Sequence, residues 1–252
     1  MAGSEADEAR SPCAPEPAGG AGRAGTPPRR GIRSFARRAG RLTPAQRRSL
    51  EALWPVYGID DWAALDLVHA FGRDAPKVLE VGFGMGDALV TMAVQHPQRD
   101  YLGIDVYPPG IGSALRKIAA SGVANVRLIR ADAAEVLGTL ADQSLDGLLV
   151  FFPDPWPKKR HHKRRLIQPD FVGMAFSKLK PGGRLEVATD WQPYAEQMLS
   201  VIEAHGGFHN TAGKGRFEQR PAERAATKFE RRGAKLGHAI RDLVFERRAD
   251  EG

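Results

Sequence analysis

Residues 78–86 have the sequence VLEVGFGMG, in which a hydrophobic strand leads directly into a turn with three glycines. Glycines at a strand's end let the backbone adopt positive φ and let a ligand approach the main chain closely. The GxGxG spacing alone is weak evidence, because a nicotinamide-binding loop would have GxGxxG and this chain has Asp87 at the last position. The stretch therefore predicts a strand, a ligand-binding turn and a helix, and leaves the ligand open.

Strands and helices alternate along the chain around that turn. The predicted strands are 77–81, 101–106, 126–130, 145–152 and 184–189. The predicted helices are 86–96, 111–121, 133–140, 169–179 and 191–205. This alternation indicates an α/β fold, a mostly parallel sheet with helices on both faces. A short strand at Phe208 and a clear one over 240–247 have no convincing helix between them, so we expect a closing antiparallel strand.

The N-terminal part of the chain has a different composition. Residues 1–30 are rich in Ala, Gly, Pro and Arg with almost no large apolar side chains, so we expect a disordered tail. Residues 31–248 are predicted to form a single domain, of which 31–71 is a basic extension. Two short helices are predicted in that extension, 44–53 and 61–71.

Composition limits the class of protein. The chain has 252 residues, 42% hydrophobic, with a net charge of +7, which favours nucleic acid or an acidic membrane surface as partner. Cys13 is the only cysteine, so we expect no disulfide framework and no cysteine-based zinc site, and a reducing, cytoplasmic location. No apolar run reaches the roughly 18–20 residues that span a bilayer. Acidic residues near the N-terminus, Glu5, Asp7 and Glu8, argue against a signal peptide.

A second informative stretch is residues 148–165, LLVFFPDPWPKKRHHKRR. Prolines on both sides of Asp154 and Trp156 end the strand and stiffen the loop. A stiff acid at the carboxyl edge of a sheet lies where α/β folds bind ligands, and the cationic run beside it suggests a polyanionic substrate. The alternative is that Asp154 caps a turn and the cations form solvated surface or a localisation signal.

Acidic residues recur at the ends of the predicted strands. Glu80 precedes the glycines, where a carboxylate suits a ligand with an ammonium group. Asp105 ends the second strand, where it could bond two ribose hydroxyls, and Asp132 ends the third, where it could accept from an exocyclic amine. With no phosphate-binding lysine, this set indicates S-adenosylmethionine. The alternative for each acid singly is a helix N-cap.

Four segments together resemble the bacterial tRNA (guanine-N7-)-methyltransferases. The most specific are FPDPWPKKRH at 152–161 and TKFERRG at 227–233. IRSF at 32–35, with the arginines that follow it, and LKPGG at 179–183, followed by Thr189 and Asp190, also fit the family. The resemblance covers about 31–248.

The resemblance implies a class I methyltransferase (Rossmann-like) fold with a seven-stranded sheet. It implies methyl transfer from S-adenosylmethionine to N7 of a guanine in tRNA, guanosine 46 of the variable loop in the family. The implied partner is tRNA, without a metal or a membrane, and the oligomeric state stays open between monomer and homodimer. Two other functions stay open from the residues: a nicotinamide or small-molecule enzyme on the same sheet, and an RNA-binding protein without catalysis.

The resemblance also implies roles for individual residues, with Asp154 as the catalytic one. The cofactor contacts are Glu80, Gly82, Gly84, Asp105, Asp132 and Asp154. The substrate contacts are Lys158, Asp190, Thr227, Lys228, Phe229 and Glu230. The RNA-facing residues are Arg160, His161, His162, Lys163, Arg164 and Arg165. The position of Asp105 is more often glutamate in the family. Trp156 and Phe229 could stack on a base or pack within their loops, and Thr227 with Glu230 also matches a helix capping box.

Overall fold

The computed structural model describes residues 41–221, 224, 230 and 239–249. The predicted tail, the basic residues before position 41, and Thr227, Lys228 and Phe229 lie outside the described residues. Among the described residues, no helix is long and apolar enough to cross a membrane.

The described strands form one sheet. They are β1 (Gly58–Ile59), β2 (Lys77–Val81), β3 (Asp100–Ile104), β4 (Val126–Ile129), β5 (Leu145–Phe151), β6 (Leu179–Thr189), β7 (Phe208–Asn210) and β8 (Arg241–Arg247). Their order is β1-β4-β3-β2-β5-β6-β8-β7. Strands β1 to β6 pair in parallel, and β8 runs antiparallel to both β6 and β7, so the predicted antiparallel closing strand is confirmed. The predicted seven strands are all present, and the eighth is β1, a two-residue edge strand that pairs with β4.

Helices cover both faces of the sheet, as predicted. They are α1 (Pro44–Tyr57), α2 (Leu67–Phe71), α3 (Asp87–Gln95), α4 (Pro108–Ser121), α5 (Ala133–Thr139), α6 (Pro169–Lys178) and α7 (Gln192–Ala204). One hydrophobic cluster contains side chains of α1, α3 and α4. A second cluster contains side chains of α2, α5, α6 and α7. The two clusters bury the two faces of the sheet, because successive side chains of a strand point to opposite sides.

The first two helices differ from their predicted limits. Helix α1 begins after the capping box formed by Thr43 and Gln46, and it continues past the predicted end at 53 to Tyr57. The predicted helix over 61–71 is wrong in its first half, since α2 is capped by Asp66 and begins only at Leu67. Asp60 accepts instead from the Trp54 indole N–H at 2.9 Å, so its carboxylate is used by the preceding helix.

Two further elements differ from the prediction. Strand β6 begins at Leu179, five residues before the predicted start, and its register shifts where it passes the glycines. Gly182 has φ 77°, a conformation that accommodates the irregularity. Residues Lys159–Arg164, predicted as loop, form a short 3₁₀ helix.

The strand order places the ligand site. Strands β2 and β5 are neighbours in the sheet. From β2 the chain continues to β3 on one side, and from β5 it continues to β6 on the other side. In open α/β sheets ligands bind outside the carboxyl ends of the strands at such a switch point. The glycine turn follows β2 and the proline-rich loop follows β5, so the two informative stretches of sequence meet there.

Candidate active site

The glycine turn after β2 exposes its backbone. Gly82, Gly84 and Gly86 have φ of 72°, 57° and 76°, so each uses the conformation that favours glycine. A Cβ added at Gly82 or Gly84 would meet no atom within 4 Å, so the main chain there borders open space. At the back of the turn, a Cβ at Gly110 of α4 would lie 2.2 Å from the Gly84 carbonyl oxygen. The turn is therefore open towards a ligand and closely packed behind.

Glu80 lies within β2 with 2% of its surface exposed. Its Oε2 atom is buried without a hydrogen-bond partner in the described part of the chain. Burial, and to a smaller extent the charge of Asp105, raise the pKa of Glu80 to about 8. A buried carboxyl group with a free oxygen is costly unless a donor completes it.

Asp105 follows β3 and binds the glycine turn. Its Oδ2 accepts the Gly84 N–H at 2.8 Å, and its Oδ1 accepts the Tyr107 N–H at 2.8 Å. Burial raises the pKa of Asp105, while its backbone hydrogen bonds act in the opposite direction. The carboxylate therefore joins the ends of two neighbouring strands, and each oxygen retains lone-pair capacity for a further donor.

The N-cap alternative is confirmed for one of the three acids. Asp132 caps α5, where its Oδ1 accepts the Ala134 N–H at 2.9 Å. Glu80 lies inside a strand, and α4 has Tyr107 at its N-cap position, so neither Glu80 nor Asp105 is an N-cap. Asp190, half-buried, follows β6 at the same edge.

The loop after β5 has a strained backbone. Phe152 and Trp156 have φ of 52° and 43°, values that non-glycine residues rarely adopt. The Phe152 N–H donates to the Ala188 carbonyl at 2.8 Å, which continues the pairing of β5 with β6. Asp154 lies between the two strained residues with its side chain exposed. Such outliers cluster at functional sites and persist only where the surroundings hold them.

Most of the cationic run lies on the 3₁₀ helix beside this loop. Lys158, Arg160 and Lys163 are exposed. Trp156 packs against the loop's own side chains, with the His161 ring 5.7 Å away edge-on and the Arg164 guanidinium 5.0 Å from the indole ring centroid. The packing alternative for Trp156 is thus seen in this structure.

Arg165 does not belong to the exposed run. Only 2% of its surface is exposed. Its Nε donates to the Pro155 carbonyl at 2.8 Å, its Nη1 donates to the Gln197 side chain, and its guanidinium lies 4.7 Å from the Tyr194 ring centroid. The prediction that Arg165 faces RNA is therefore wrong for this structure, because the side chain turns inward onto α7.

Glu230 takes part in a buried ion-pair cluster. Its carboxylate lies 2.8 Å from Nη1 of Arg224 and 3.0 Å from Arg220. Arg224, with 3% of its surface exposed, also pairs with Asp242 of β8 at 2.6 Å. The predicted substrate contact at Glu230 thus has arginine partners in the free protein.

Lys117 of α4 supports the site from a distant part of the chain. Its Nζ donates to the Met85 carbonyl at 2.8 Å and to Asp87 at 2.7 Å, so it braces the glycine turn. Lys117 lies 30 residues beyond Asp87 in the chain, and no local pattern indicates this contact.

The sequence comparisons agree with this geometry. Residues 74–243 match the Methyltransf_4 family, described as "Putative methyltransferase". A tRNA (guanine-N(7)-)-methyltransferase from Alkalilimnicola ehrlichii is 53% identical over 228 residues, which cover 89% of this chain and 96% of that protein. The chain belongs to this methyltransferase family. A protein of the same name from Nitrosococcus oceani is 53% identical, over 88% of this chain and 93% of that protein.

Solved structures support the fold. The 16S rRNA methyltransferase KamB superimposes with a TM-score of 0.52 at 18% identity, over 86% of this chain and 99% of that chain. A structure described as an antibiotic-related methyltransferase gives a TM-score of 0.50 at 16% identity, over 75% of this chain and 97% of that chain. At this level of identity the similarity concerns the class I methyltransferase architecture. Among the residues the structure describes, no group of three or more His, Cys, Asp or Glu side chains could hold a metal ion.

Proposed function

We propose that this protein transfers a methyl group from S-adenosylmethionine to N7 of a guanine in tRNA. The observation that carries the proposal is the arrangement at the switch point. Glu80, with an unpartnered buried oxygen, borders the glycine turn, and the strained Asp154 loop with its cations follows the adjacent strand. Relatives that are 53% identical over nearly the whole chain are named for this reaction.

The residues at the glycine turn fit S-adenosylmethionine. The free Oε2 of Glu80 suits an ammonium donor, and the open space over Gly82 and Gly84 admits a ligand against the backbone. Asp105 retains acceptor capacity for ribose hydroxyls, and Asp132 would accept from the adenine amine. When bound, this cofactor supplies an electrophilic methyl group on a sulfonium. The turn's role is to hold and orient it.

The chemistry at guanine needs orientation more than proton transfer. N7 of guanine has an in-plane lone pair and carries no proton, so it requires no general base. Asp154 and Asp190 follow the adjacent strands β5 and β6, where carboxylates would accept from the N1–H and amine of the base and stabilise its growing positive charge. Asp154 is the proposed catalytic residue and also contacts the cofactor. Lys158 and residues 227–230 are the other proposed contacts of the substrate.

The cations beside the loop are the proposed RNA surface. Arg160, His161, His162, Lys163 and Arg164 lie on the 3₁₀ helix immediately after the Asp154 loop. Burial, and then the positive charge of Arg164 and other neighbours, lower the pKa of His161, so its ring contributes mainly as a neutral donor or stacking partner near neutral pH. Phosphate contacts from such a surface supply sequence-independent affinity. The finer proposal, guanosine 46 of the variable loop, rests on the family resemblance.

Methyl incorporation from labelled S-adenosylmethionine into unmodified tRNA tests the function. Borohydride reduction followed by aniline cleavage then reports the position of any N7-methylguanosine in the product. Cleavage at a single guanine in the variable loop is expected. A transcript in which that guanine is replaced by adenine is the matched control and should accept no label. Binding of tRNA without incorporation would instead indicate an RNA-binding protein without catalysis.

A further inference from the structure

Arg165 is the one member of the cationic run 158–165 that turns into the protein. Its neighbours Lys163 and Arg164 are exposed and half-buried, whereas Arg165 is 2% exposed. A buried guanidinium needs hydrogen-bond acceptors, and an aromatic face also stabilises it. Arg165 has both, in the Pro155 carbonyl, the Gln197 side chain and the Tyr194 ring.

The contact with Pro155 reaches the centre of the strained loop. Pro155 follows Asp154 directly, and the strained residues Phe152 and Trp156 lie on either side. Backbone conformations of this kind are energetically unfavourable and require support from the surroundings. The Arg165 Nε, 2.8 Å from the Pro155 carbonyl oxygen, fixes the peptide unit between Pro155 and Trp156, one residue beyond Asp154 in the chain.

The far side of Arg165 is fixed to α7. Tyr194 is completely buried, and its hydroxyl oxygen accepts the Ile167 N–H at 3.1 Å. The amide nitrogen of Gln197 donates to the Ile167 carbonyl at 3.3 Å. The two side chains that hold Arg165 are therefore held themselves, and they connect the Asp154 loop to the helix that follows Asp190.

Stability alone does not explain this arginine. In the described part of the chain no carboxylate pairs with Arg165, and its Nη2 is buried without a hydrogen-bond partner. A buried cation with an unused donor is less favourable than an apolar side chain of similar volume. The guanidinium is planar, so it can donate to Pro155 and Gln197 at the same time while it lies against the Tyr194 ring.

We propose that Arg165 is the positioning residue for Asp154: it holds the loop in the geometry that methyl transfer requires and makes no contact with RNA. The inference deepens the proposed function and rests on it. Arg165 thus divides the cationic run into an outer part that binds RNA phosphates and an inner residue that supports the catalytic acid. Its removal should slow the reaction at saturating tRNA while leaving the electrostatic part of tRNA binding unchanged.

The test compares Arg165→Lys, Arg165→Met and Lys163→Met with the wild-type protein. The measurements are kcat at saturating tRNA, and tRNA affinity as a function of salt. Both Arg165 variants should lose on the order of 10- to 100-fold in kcat, as displacement of a reacting group does. The slope of log K against log salt should stay at the wild-type value. Lys163→Met should instead weaken tRNA binding and make that slope shallower.

Arg165→Lys separates geometry from charge. Lysine keeps the positive charge but lacks the planar fork, so an RNA-binding role would be largely rescued and a positioning role would not. Rescue of kcat by lysine, or a shallower salt slope in Arg165→Met, would overturn the inference. Failure of the wild-type protein to methylate tRNA would overturn the proposed function instead, so the two failures are distinguishable.

Two further variants control for loss of folding. Arg247 is also a buried arginine on an aromatic ring, 4.4 Å from the Phe176 centroid, at the opposite end of the sheet. Arg247→Met removes a buried guanidinium of the same kind far from the Asp154 loop, so kcat of the folded protein should be unchanged. If the Arg165 variants do not fold, Gln197→Leu is tested instead. It removes the α7 side chain that accepts a hydrogen bond from Arg165. It should lower kcat several-fold with an unchanged salt slope, and wild-type kcat in this variant would contradict the proposal.

Discussion

Asp105 accepts the backbone N–H of Gly84 through Oδ2 at 2.8 Å, so the end of β3 is tied to the turn that follows β2. This hydrogen bond brings a second carboxyl group beside the buried Glu80, and the charge of Asp105 adds to the effect of burial on the pKa of Glu80. Two acids at adjacent strand ends thus face the same space. The arrangement is costly without a ligand and suits a ligand that carries a positive charge and hydroxyl groups.

The pKa of Glu80 predicts how stability depends on pH. In the unfolded chain this carboxyl group ionises near its ordinary pKa of 4.5, and in the folded protein only near 8. Between these values the folded state holds a proton that the unfolded state has released, so the free energy of unfolding falls as pH rises. In Glu80→Gln the side chain is neutral at every pH, so the free energy of unfolding does not fall in this way. Its melting temperature should rise relative to wild type between pH 5 and pH 8, measured without cofactor. A constant difference over that range would contradict the prediction.

Cofactor binding should release a proton from Glu80. An ammonium group beside the carboxyl favours its charged form and lowers its pKa, so binding at pH 6.5 moves a proton to the buffer. Calorimetric titration with S-adenosylmethionine in buffers of different ionisation enthalpy measures this release. It should approach one proton in the wild-type protein and be much smaller in Glu80→Gln. Equal release from both proteins would mean that another group gives up the proton.

Asp154→Ala should abolish methyl transfer without unfolding the protein. The side chain is exposed, so its removal should change stability by no more than about 0.5 kcal/mol. Removal of a carboxylate that stabilises developing charge should cost about 100-fold or more in kcat. Asp74→Ala removes an exposed acid just before β2, at the other edge of the sheet, and should leave kcat unchanged. Near-normal turnover of Asp154→Ala would remove this residue from the mechanism.

The exposed cations of the 3₁₀ helix should determine tRNA affinity. Lys163→Glu is expected to weaken tRNA binding and to reduce the slope of log K against log salt by roughly 0.7–0.9 for each phosphate that is no longer neutralised. Arg184→Glu changes another exposed cation, on β6, and serves as the control; the Arg184 side chain is 57% exposed. Binding measured between 50 and 200 mM salt distinguishes them. The same decrease in both variants would mean that net charge alone, rather than this surface, attracts tRNA.

Glu230→Ala should lower stability as well as activity. The substitution leaves buried Arg224 without one of its two carboxylate partners, which costs about 3–5 kcal/mol for a buried pair. Denaturant unfolding measures that change. Glu196→Ala on exposed α7 surface is the control and should stay within about 0.5 kcal/mol of wild type. Normal stability with a raised KM for tRNA would assign Glu230 to the substrate alone.

Deletion of residues 1–30 should change neither the melting temperature nor turnover on tRNA. The segment lacks the apolar side chains that docking onto the domain would require. The deletion also tests the proposed boundary of a single methyltransferase domain over 31–248. A large decrease in tRNA affinity with unchanged stability would show that the arginines of the tail bind RNA.

Much of the fold could be predicted from local sequence patterns. The strand over 77–81 has the predicted limits, and most other elements begin and end within a few residues of their own predicted limits. Hydrophobic runs and glycine turns are local signals, so they are visible in the sequence. The differences occur where a distant partner intervenes. Gly58 and Ile59 form a strand only because β4 lies beside them, and Asp60 is unavailable as a cap because it accepts from Trp54.

The sequence by itself determined the chemistry at the sheet edge: a glycine turn, acids at strand ends, and a stiff acidic loop followed by cations. Chain order and residue type suffice for this, because parallel strands bring all their carboxyl ends to one edge. Only the tertiary structure decided which of these groups face solvent and which are held by partners within the protein. Arg164 and Arg165 are neighbours of the same type, yet one packs on Trp156 and the other holds Pro155 from within. The direction of the Arg165 side chain depends on Tyr194 and Gln197, about 30 residues away, and no local pattern contains that contact.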